Sequence, residues 1–380
     1  MARMDLGLSE IQEGIRSSVR DLLDQEWPLA RTRELQENDT GFDSELWGKM
    51  AQLGWLGMGI PEAYGGEGLT LTDLAVLHEE FGRSAMNTPL HGSSVLCSQI
   101  IQHAGSEDQK KTFLSGIAKG DRIFALAFTE ADYGWDSGSI TMRGDVSGGS
   151  VTLNGSKMFI PYAHVADDLI VAVRSGGAGD DGITLVHVPT SETGVTVNQL
   201  PGFTGDRPCE VVFENVKVSD SSIIGEANKG WQPLLKGINE SIPVLGTFMA
   251  GCLRAGVDMS QDYAQNRIAF GVPIGTFQRV QDWIILGINH ADAARLSSYE
   301  AVWAVENDKP VATEAVASCK IIASEGFVEG MDAAHHVHGG IGVVYSYGLY
   351  AFMRQSRTLY HYLGSPEHHR EILASALEIS

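Results

Sequence analysis

The sequence predicts an α+β fold in three parts: an N-terminal helical domain over residues 1–122, a middle antiparallel β domain over 123–230, and a C-terminal four-helix bundle over 231–380. Apolar residues recur every three or four positions in the first third. They give way near Phe124 to short β-branched runs between Gly, Asp and Asn clusters, and the helical period returns after Trp231. Helices, then strands, then helices is not the order of alternating βαβ units.

In the first part, Leu8, Ile11, Ile15, Val19 and Leu22 fall on one helix face, and Ser9 with Gln12 forms a capping box at its start. Glu45–Leu53 and Asp73–Phe81 repeat the period. Gly65, Gly66 and Gly68 punctuate a loop after Ile60-Pro61, and a further helix covers Asp108–Ile117. In the middle part the strands are Val151–Ile160, Leu169–Val173, Ile183–Val188 and Glu210–Phe213. Ser175–Gly182 is a loop with nothing built to cradle phosphate at a helix start. In the last part, helical segments run over about 241–266, 277–306, 313–336 and 349–360, with breaks at Arg267–Pro273 and Gly339–Gly342.

At 380 residues, 43% hydrophobic and 20% charged, the composition is that of a soluble globular protein with a sizeable core. The net charge of −21, from 48 acidic against 27 basic residues, repels phosphate backbones and anionic lipid. Neither nucleic acid nor a membrane surface is expected as a partner, although local basic groups still admit an anionic small molecule. Cys97, Cys209, Cys252 and Cys319 are scattered without a CxxC pair, which points to reduced thiols rather than a disulfide framework or a zinc site. The N-terminus carries no leader h-region and no apolar run approaches a membrane span, so a cytoplasmic location is expected.

Five motifs in order resemble the acyl-CoA dehydrogenase superfamily. They are Leu53–Gly66 (LGWLGMGIPEAYGG), Phe128-Thr129-Glu130, Leu153–Ile160 (LNGSKMFI), Tyr263–Gln278 (YAQNRIAFGVPIGTFQ) and His335–Gly342 (HHVHGGIG). Any one alone is weak, but together they span nearly the whole chain.

The resemblance implies FAD bound between the β domain and the bundle, with its adenine end completed by a neighbouring subunit. Thr129, Phe159 and Ile160 would line the flavin ring, and Phe128 beside them would contact the cofactor. Arg267, Phe270 and Gln278 would reach the diphosphate and adenosine across a dimer interface, and His336, Gly339 and Gly340 would contact the cofactor from the bundle. Arg offers a planar fork of donors for phosphate oxygens, and glycine lets backbone approach where a Cβ would intrude. Each residue also has a plainer reading: Gly339-Gly340 as a helix cap, Arg267 as a solvated charge, Phe159 and Phe270 as core. His335, His336 and His338 lack a nearby carboxylate in a metal-ligand spacing such as HExxH, so no metal is expected.

In this family a carboxylate takes the α-proton of an acyl thioester while the β-carbon gives up hydride. Most members place that glutamate before a Gly-Thr or Gly-Ser near the C-terminus, and the matching position here is Leu363. Others place it on the first helix of the bundle, where Ser241 stands. Glu240 is the neighbouring carboxylate, but one residue turns a helical side chain by roughly 100°. It would serve only from an irregular helix start or if the base position falls one residue earlier; its plainer reading is a surface or capping carboxylate near a helix N-terminus. Pro161, Trp135 and Ile242 also depart from the family pattern near the reacting end.

No catalytic residue is therefore assigned. The chain resembles the base-less subunits of heteromeric bacterial acyl-CoA dehydrogenases, in which a glutamate-bearing paralogue supplies the base. That resemblance implies an acyl-CoA substrate, an electron-transfer acceptor, and a homo- or heterotetramer built as a dimer of dimers. Two alternatives stay open: a homomeric flavoenzyme with base-independent chemistry such as a monooxygenase, and a non-catalytic CoA-ester-binding subunit.

Overall fold

The structure, a computed structural model, describes residues 7–203 and 206–379. Residues 1–6, part of the stretch read as carrying no leader, lie outside them. The chain divides into two compact units. One comprises the residues up to Glu37, Leu71–Asn87 and Ile242 onward; the other comprises Asn38–Thr70 and Thr88–Ser241.

The first unit is helical. Helix α1 (Glu10–Glu26) opens with the expected capping box: Ser9 Oγ accepts from the Gln12 N–H at 3.2 Å, and Gln12 Oε1 accepts from the Ser9 N–H at 3.0 Å. Its inward stripe differs from the expectation. Leu8 and Ile15 pack on Ala75, Val76, Tyr299 and Val302, whereas Ile11 is 62% exposed. Leu8 precedes the helix and is free of its rotation. The stripe itself runs through Gln12, Ile15, Val19 and Leu23, with Gln12 donating to Asp73 at 2.9 Å.

Helix α2 (Leu71–Arg83) crosses helix α3 (Trp231–Asn266) at two glycines. A Cβ on Gly82 would lie 2.1 Å from the Phe248 carbonyl oxygen, and one on Gly251 would lie 1.9 Å from that of Glu79. The backbones touch there because no side chain intervenes. α3 starts well before residue 241: Pro233 sits in its first turn, where a missing N–H costs nothing, and the helix continues through Pro243. Within α3 an 18-residue window is apolar and long enough to cross a membrane by composition, yet 72% of it is buried, as in a core helix.

Helices α4 (Gln278–Glu306), α5 (Ala312–His338) and α6 (Leu349–His361) match the expected segments within a few residues. A further helix, α7 (Pro366–Ala376), follows; Ser365 caps it and Pro366 opens it.

The second unit holds the sheet. Its strands are β1 (Phe124–Ala127), β2 (Arg143–Ser147), β3 (Ser150–Ile160), β4 (Asp168–Arg174), β5 (Ile183–Pro189), β6 (Val195–Gln199), β7 (Cys209–Ser219) and β8 (Ile223–Ile224). The order is β6-β7-β3-β2-β4-β5-β8, antiparallel except where β1 and the first residue of β2 run parallel to β4. β7 extends past Phe213 through a register shift opposite Leu153–Gly155. Its Glu214-Asn215 step, with Asn215 at φ +52°, reads in sequence as a strand end. Asp168, fully buried, accepts two bonds from Arg122 at 2.6 Å and one from His187 at 2.7 Å, tying β4 to β5 and to the segment that leads into β1.

Of the helices in this unit, His91–Cys97 is a π-helical stretch running into Ser98–Ala104. The helix expected over 108–117 is present over 107–119, with a π-helical turn at Lys110–Leu114.

Candidate active site

The ten residues proposed for the cofactor divide between the two units. In the sheet unit, the chain leaving β1 is stitched to β3: the Thr129 carbonyl accepts from the Met158 N–H at 2.8 Å, and the Thr129 hydroxyl donates to the Met158 carbonyl at 2.5 Å. Thr129 and Phe159 are thus brought onto one short stretch. Phe159 is 38% exposed, in the left-handed region at φ +60°, and meets the edge of Tyr133 at 5.3 Å. Phe128 and Ile160 are buried core residues. Phe128 stacks on Trp135 at 5.0 Å with an 11° tilt between the rings.

Sequence reasoning gave no role to Lys157, which organises this loop. It is fully buried and donates to the Phe128 carbonyl at 3.0 Å and to Glu130 at 2.8 Å. Glu130 also accepts from the N–H groups of Thr141 at 3.0 Å and Met142 at 2.9 Å, and from the Thr141 hydroxyl. Burial pulls Lys157 down to about 8, partly offset by Glu130. Burial pushes Glu130 up, but the charge and hydrogen bond of Lys157 and the loop donors outweigh it and hold the carboxyl below its ordinary range. The signal was present: Lys157 shares the inward parity of Val151 and Leu153, and a lysine buried there calls for a carboxylate.

In the helical unit, Ile268–Ala269 and Val272–Pro273 pair as a tight hairpin with Phe270 at φ +55° and Gly271 at φ +85° on its tip. Phe270 is 96% exposed, which overturns the core reading, and meets Phe277 edge-on at 6.1 Å. The side chains of Arg267 and Gln278 are exposed and make no hydrogen bond or ion pair among the described residues. His336 is exposed and stacks on Trp283 at 5.0 Å, with the Arg279 guanidinium 5.0 Å from the same indole. Gly339, at φ +60°, terminates α5, so its plainer reading as a cap holds. No heavy atom lies within 4 Å of where a Cβ on Gly339 or Gly340 would stand. The three histidines diverge: His338 is buried against Tyr263 and donates to the Ala334 carbonyl at 2.8 Å. Among the described residues no three metal-ligating side chains converge.

The positions expected for a base hold none. Leu363 is 1% exposed and left-handed at φ +60°. Ser241 is fully buried; its hydroxyl donates to the Ile238 carbonyl at 2.9 Å, and its own carbonyl accepts from His91 at 3.0 Å. Burial lowers His91 to about 4, so its imidazole is neutral at physiological pH. Glu240 departs from both earlier readings. It is neither at an irregular helix start nor a surface capping group, because α3 is continuous from Trp231. Its largely buried carboxylate lies 2.6 Å from His103 Nε2. His91 and His103 escaped sequence reasoning, since single histidines carry no spacing signal.

Comparison with known proteins agrees with these features. Profiles of the acyl-CoA dehydrogenase N-terminal, middle and C-terminal domains match residues 9–121, 125–216 and 228–378. A 3-(aryl)acrylate reductase of Clostridium sporogenes is 30% identical over 97% of this chain and 99% of its own. Subunit CarC of the caffeyl-CoA reductase-Etf complex of Acetobacterium woodii is 28% identical over 97% of this chain and 98% of its own. The solved butyryl-CoA dehydrogenase of Megasphaera elsdenii superposes with a TM-score of 0.92 at 26% identity, covering 99% of this chain and 100% of that one. A helical N-terminal part, a β middle and a helical C-terminal part, in this order and over this length, make the chain a member of the acyl-CoA dehydrogenase family of flavoproteins.

Proposed function

We propose that the chain binds FAD and takes part in α,β-dehydrogenation of an acyl-CoA thioester, as one subunit of a complex whose partner chain supplies the carboxylate. When bound, FAD would accept the hydride from the β-carbon. The residues present fit that cofactor. Arg267 and Gln278 are exposed donors with no side-chain partner among the described residues, suited to a diphosphate and an adenosine. Phe270 is displayed on a hairpin tip where only a second molecule would cover it, and the ground around Gly340 is open. Thr129 and Phe159 are held where the loop after β1 meets β3, and Lys157 with Glu130 fixes that loop.

The observation that carries the heteromeric reading is the state of the three candidate base positions. Leu363 is apolar, Ser241 is a hydroxyl bonded within its own helix, and Glu240 is held by His103. None is a carboxylate free to accept a proton. The family's other requirement, a backbone N–H for the thioester carbonyl, is kept at Leu363. The relative CarC is named as a subunit of a complex with Etf, which supports an electron-transfer flavoprotein as the redox acceptor. The exposed Phe270 hairpin tip, which a neighbouring chain would cover, supports a dimer of dimers with the adenine site completed across a dimer.

The test is anaerobic titration of the purified chain with a panel of acyl-CoAs, alone and co-purified with a paralogue bearing glutamate at the position of Leu363. Bleaching near the flavin absorption maximum is expected only for the pair. A colourless protein that takes up no FAD defeats the reading.

A further inference from the structure

The ammonium of Lys320, on α5, is 1% exposed and makes no ion pair among the described residues. Its three protons go to Ser324 Oγ at 2.7 Å, the Tyr360 carbonyl at 3.0 Å and the Leu359 carbonyl at 3.3 Å. The two carbonyls belong to the last turn of α6, where no intrahelical donor reaches them, and a cation there also opposes the helix dipole. Burying an ammonium without a counter-charge is more than a helix end ordinarily needs for its cap. The cost calls for a further return.

That return lies in the segment immediately following. α6 runs out into Tyr362, left-handed Leu363 and Gly364 at φ +99° before Ser365 caps α7. On the exit side, buried His369 donates from Nε2 to the Leu363 carbonyl at 2.9 Å. A Cβ on Gly364 would stand 2.7 Å from that same nitrogen, so the turn lies against the imidazole. The chain is gripped before Leu363 by Lys320 and behind it by His369. The Leu363 carbonyl is thereby occupied, while its N–H donates to no acceptor among the described residues.

Resting on the function proposed above, we propose that Lys320 and His369 are positioning residues: a two-point clamp that holds the Tyr362–Gly364 turn so that the Leu363 N–H meets the thioester carbonyl oxygen. Without a carboxylate at Leu363, this clamp is what the chain itself contributes to polarising the acyl group. The groups facing the ammonium are the Cys319 thiol and Ser324 hydroxyl from α5, the two α6 carbonyls, and His369 from α7. Burial holds His369 near 4 and lifts Cys319 to about 11, so both are neutral around pH 7. Burial draws Lys320 itself down to about 7, which makes its charge the one that changes there.

The experiment compares the assembled wild-type protein with Lys320→Met, His369→Leu and the donor-retaining His369→Gln. Amide hydrogen exchange over residues 359–366 is measured beside dissociation constants for acetoacetyl-CoA and for free CoA at about pH 6 and about pH 8.5, on either side of the lysine's value. Exchange is expected to rise about tenfold in Lys320→Met and His369→Leu but not in His369→Gln, the loss of one hydrogen bond. Acetoacetyl-CoA affinity should fall about tenfold in the first two variants with free CoA unchanged. It should also weaken with rising pH in the wild type and not in Lys320→Met. Unchanged exchange, or equal losses for both ligands, overturns the clamp. A wild-type protein that binds neither ligand defeats the proposed function instead, and the exchange data then decide the clamp alone.

Discussion

His103 Nε2 lies 2.6 Å from a carboxylate oxygen of Glu240, in a pair that is largely buried. The carboxylate beside the helical base position is therefore committed within its own unit. In the active complex, Glu240→Gln should leave turnover within about threefold of wild type, against the 10²–10⁴ that loss of a general base typically costs. It should lower stability by no more than about 1 kcal/mol, because an amide oxygen can still accept from His103 and only the charge assistance is lost. Steady-state assays and denaturant melts on the same preparation check both halves.

Leu363 is buried and left-handed, and a glutamate there would place a carboxylate at the proposed base position. Leu363→Glu should let the chain alone exchange the α-protons of a bound acyl-CoA with deuterated solvent, at least about tenfold faster than the unmodified chain. Mass spectrometry of recovered thioester checks this. Full dehydrogenation is not expected from this change alone, because the resemblance implies that Trp135 and Pro161 also depart from the family pattern near the reacting end.

The hairpin tip offers two changes of opposite sign. Phe270→Gly removes a left-handed aromatic residue and should stabilise the isolated chain by about 1 kcal/mol, yet weaken FAD retention in the assembly. Arg267→Ala should leave stability unmoved, since its side chain has no partner among the described residues, and weaken FAD binding by about ten- to a hundredfold, the worth of a charge-assisted bond. Cofactor content after gel filtration and thermal melts separate the two effects.

Much of this was legible in the sequence, for a physical reason. Period and turn chemistry are local, so the capping box at Ser9, the order of helices and strands, and the break at Gly339 could all be read directly. What escaped depends on contacts between distant positions. Ile11 was misassigned because Leu8, outside the helix, set the phase. The early start of α3 was hidden by Pro243, which the helix accommodates. Lys157 with Glu130, His103 with Glu240 and Lys320 with the end of α6 are pairings that no spacing announces. Of these, Lys157 alone carried a local hint, its inward strand parity.

The buried lysine also leaves a mark on stability. The Lys320 value is depressed in the folded state from 10.5 to about 7, so between those limits the unfolded chain holds a proton that the native chain has released. Unfolding takes up that proton, and stability therefore rises with pH across the window. Relative to Lys320→Met, the wild type should gain up to about 1.4 kcal/mol per pH unit from pH 7 upward, the value for one proton. Paired urea melts at several pH values check the slope, and parallel curves for the two proteins would contradict it.

The claim on which the rest turns is that this chain carries a flavin site but borrows its base. It is tested most directly by the visible spectrum of the purified chain during anaerobic acyl-CoA addition, before and after the glutamate-bearing paralogue is supplied. The account predicts a yellow protein whose flavin band stays until the second chain is present and then bleaches. Full bleaching by the chain alone, at a rate unchanged by the partner, would contradict it.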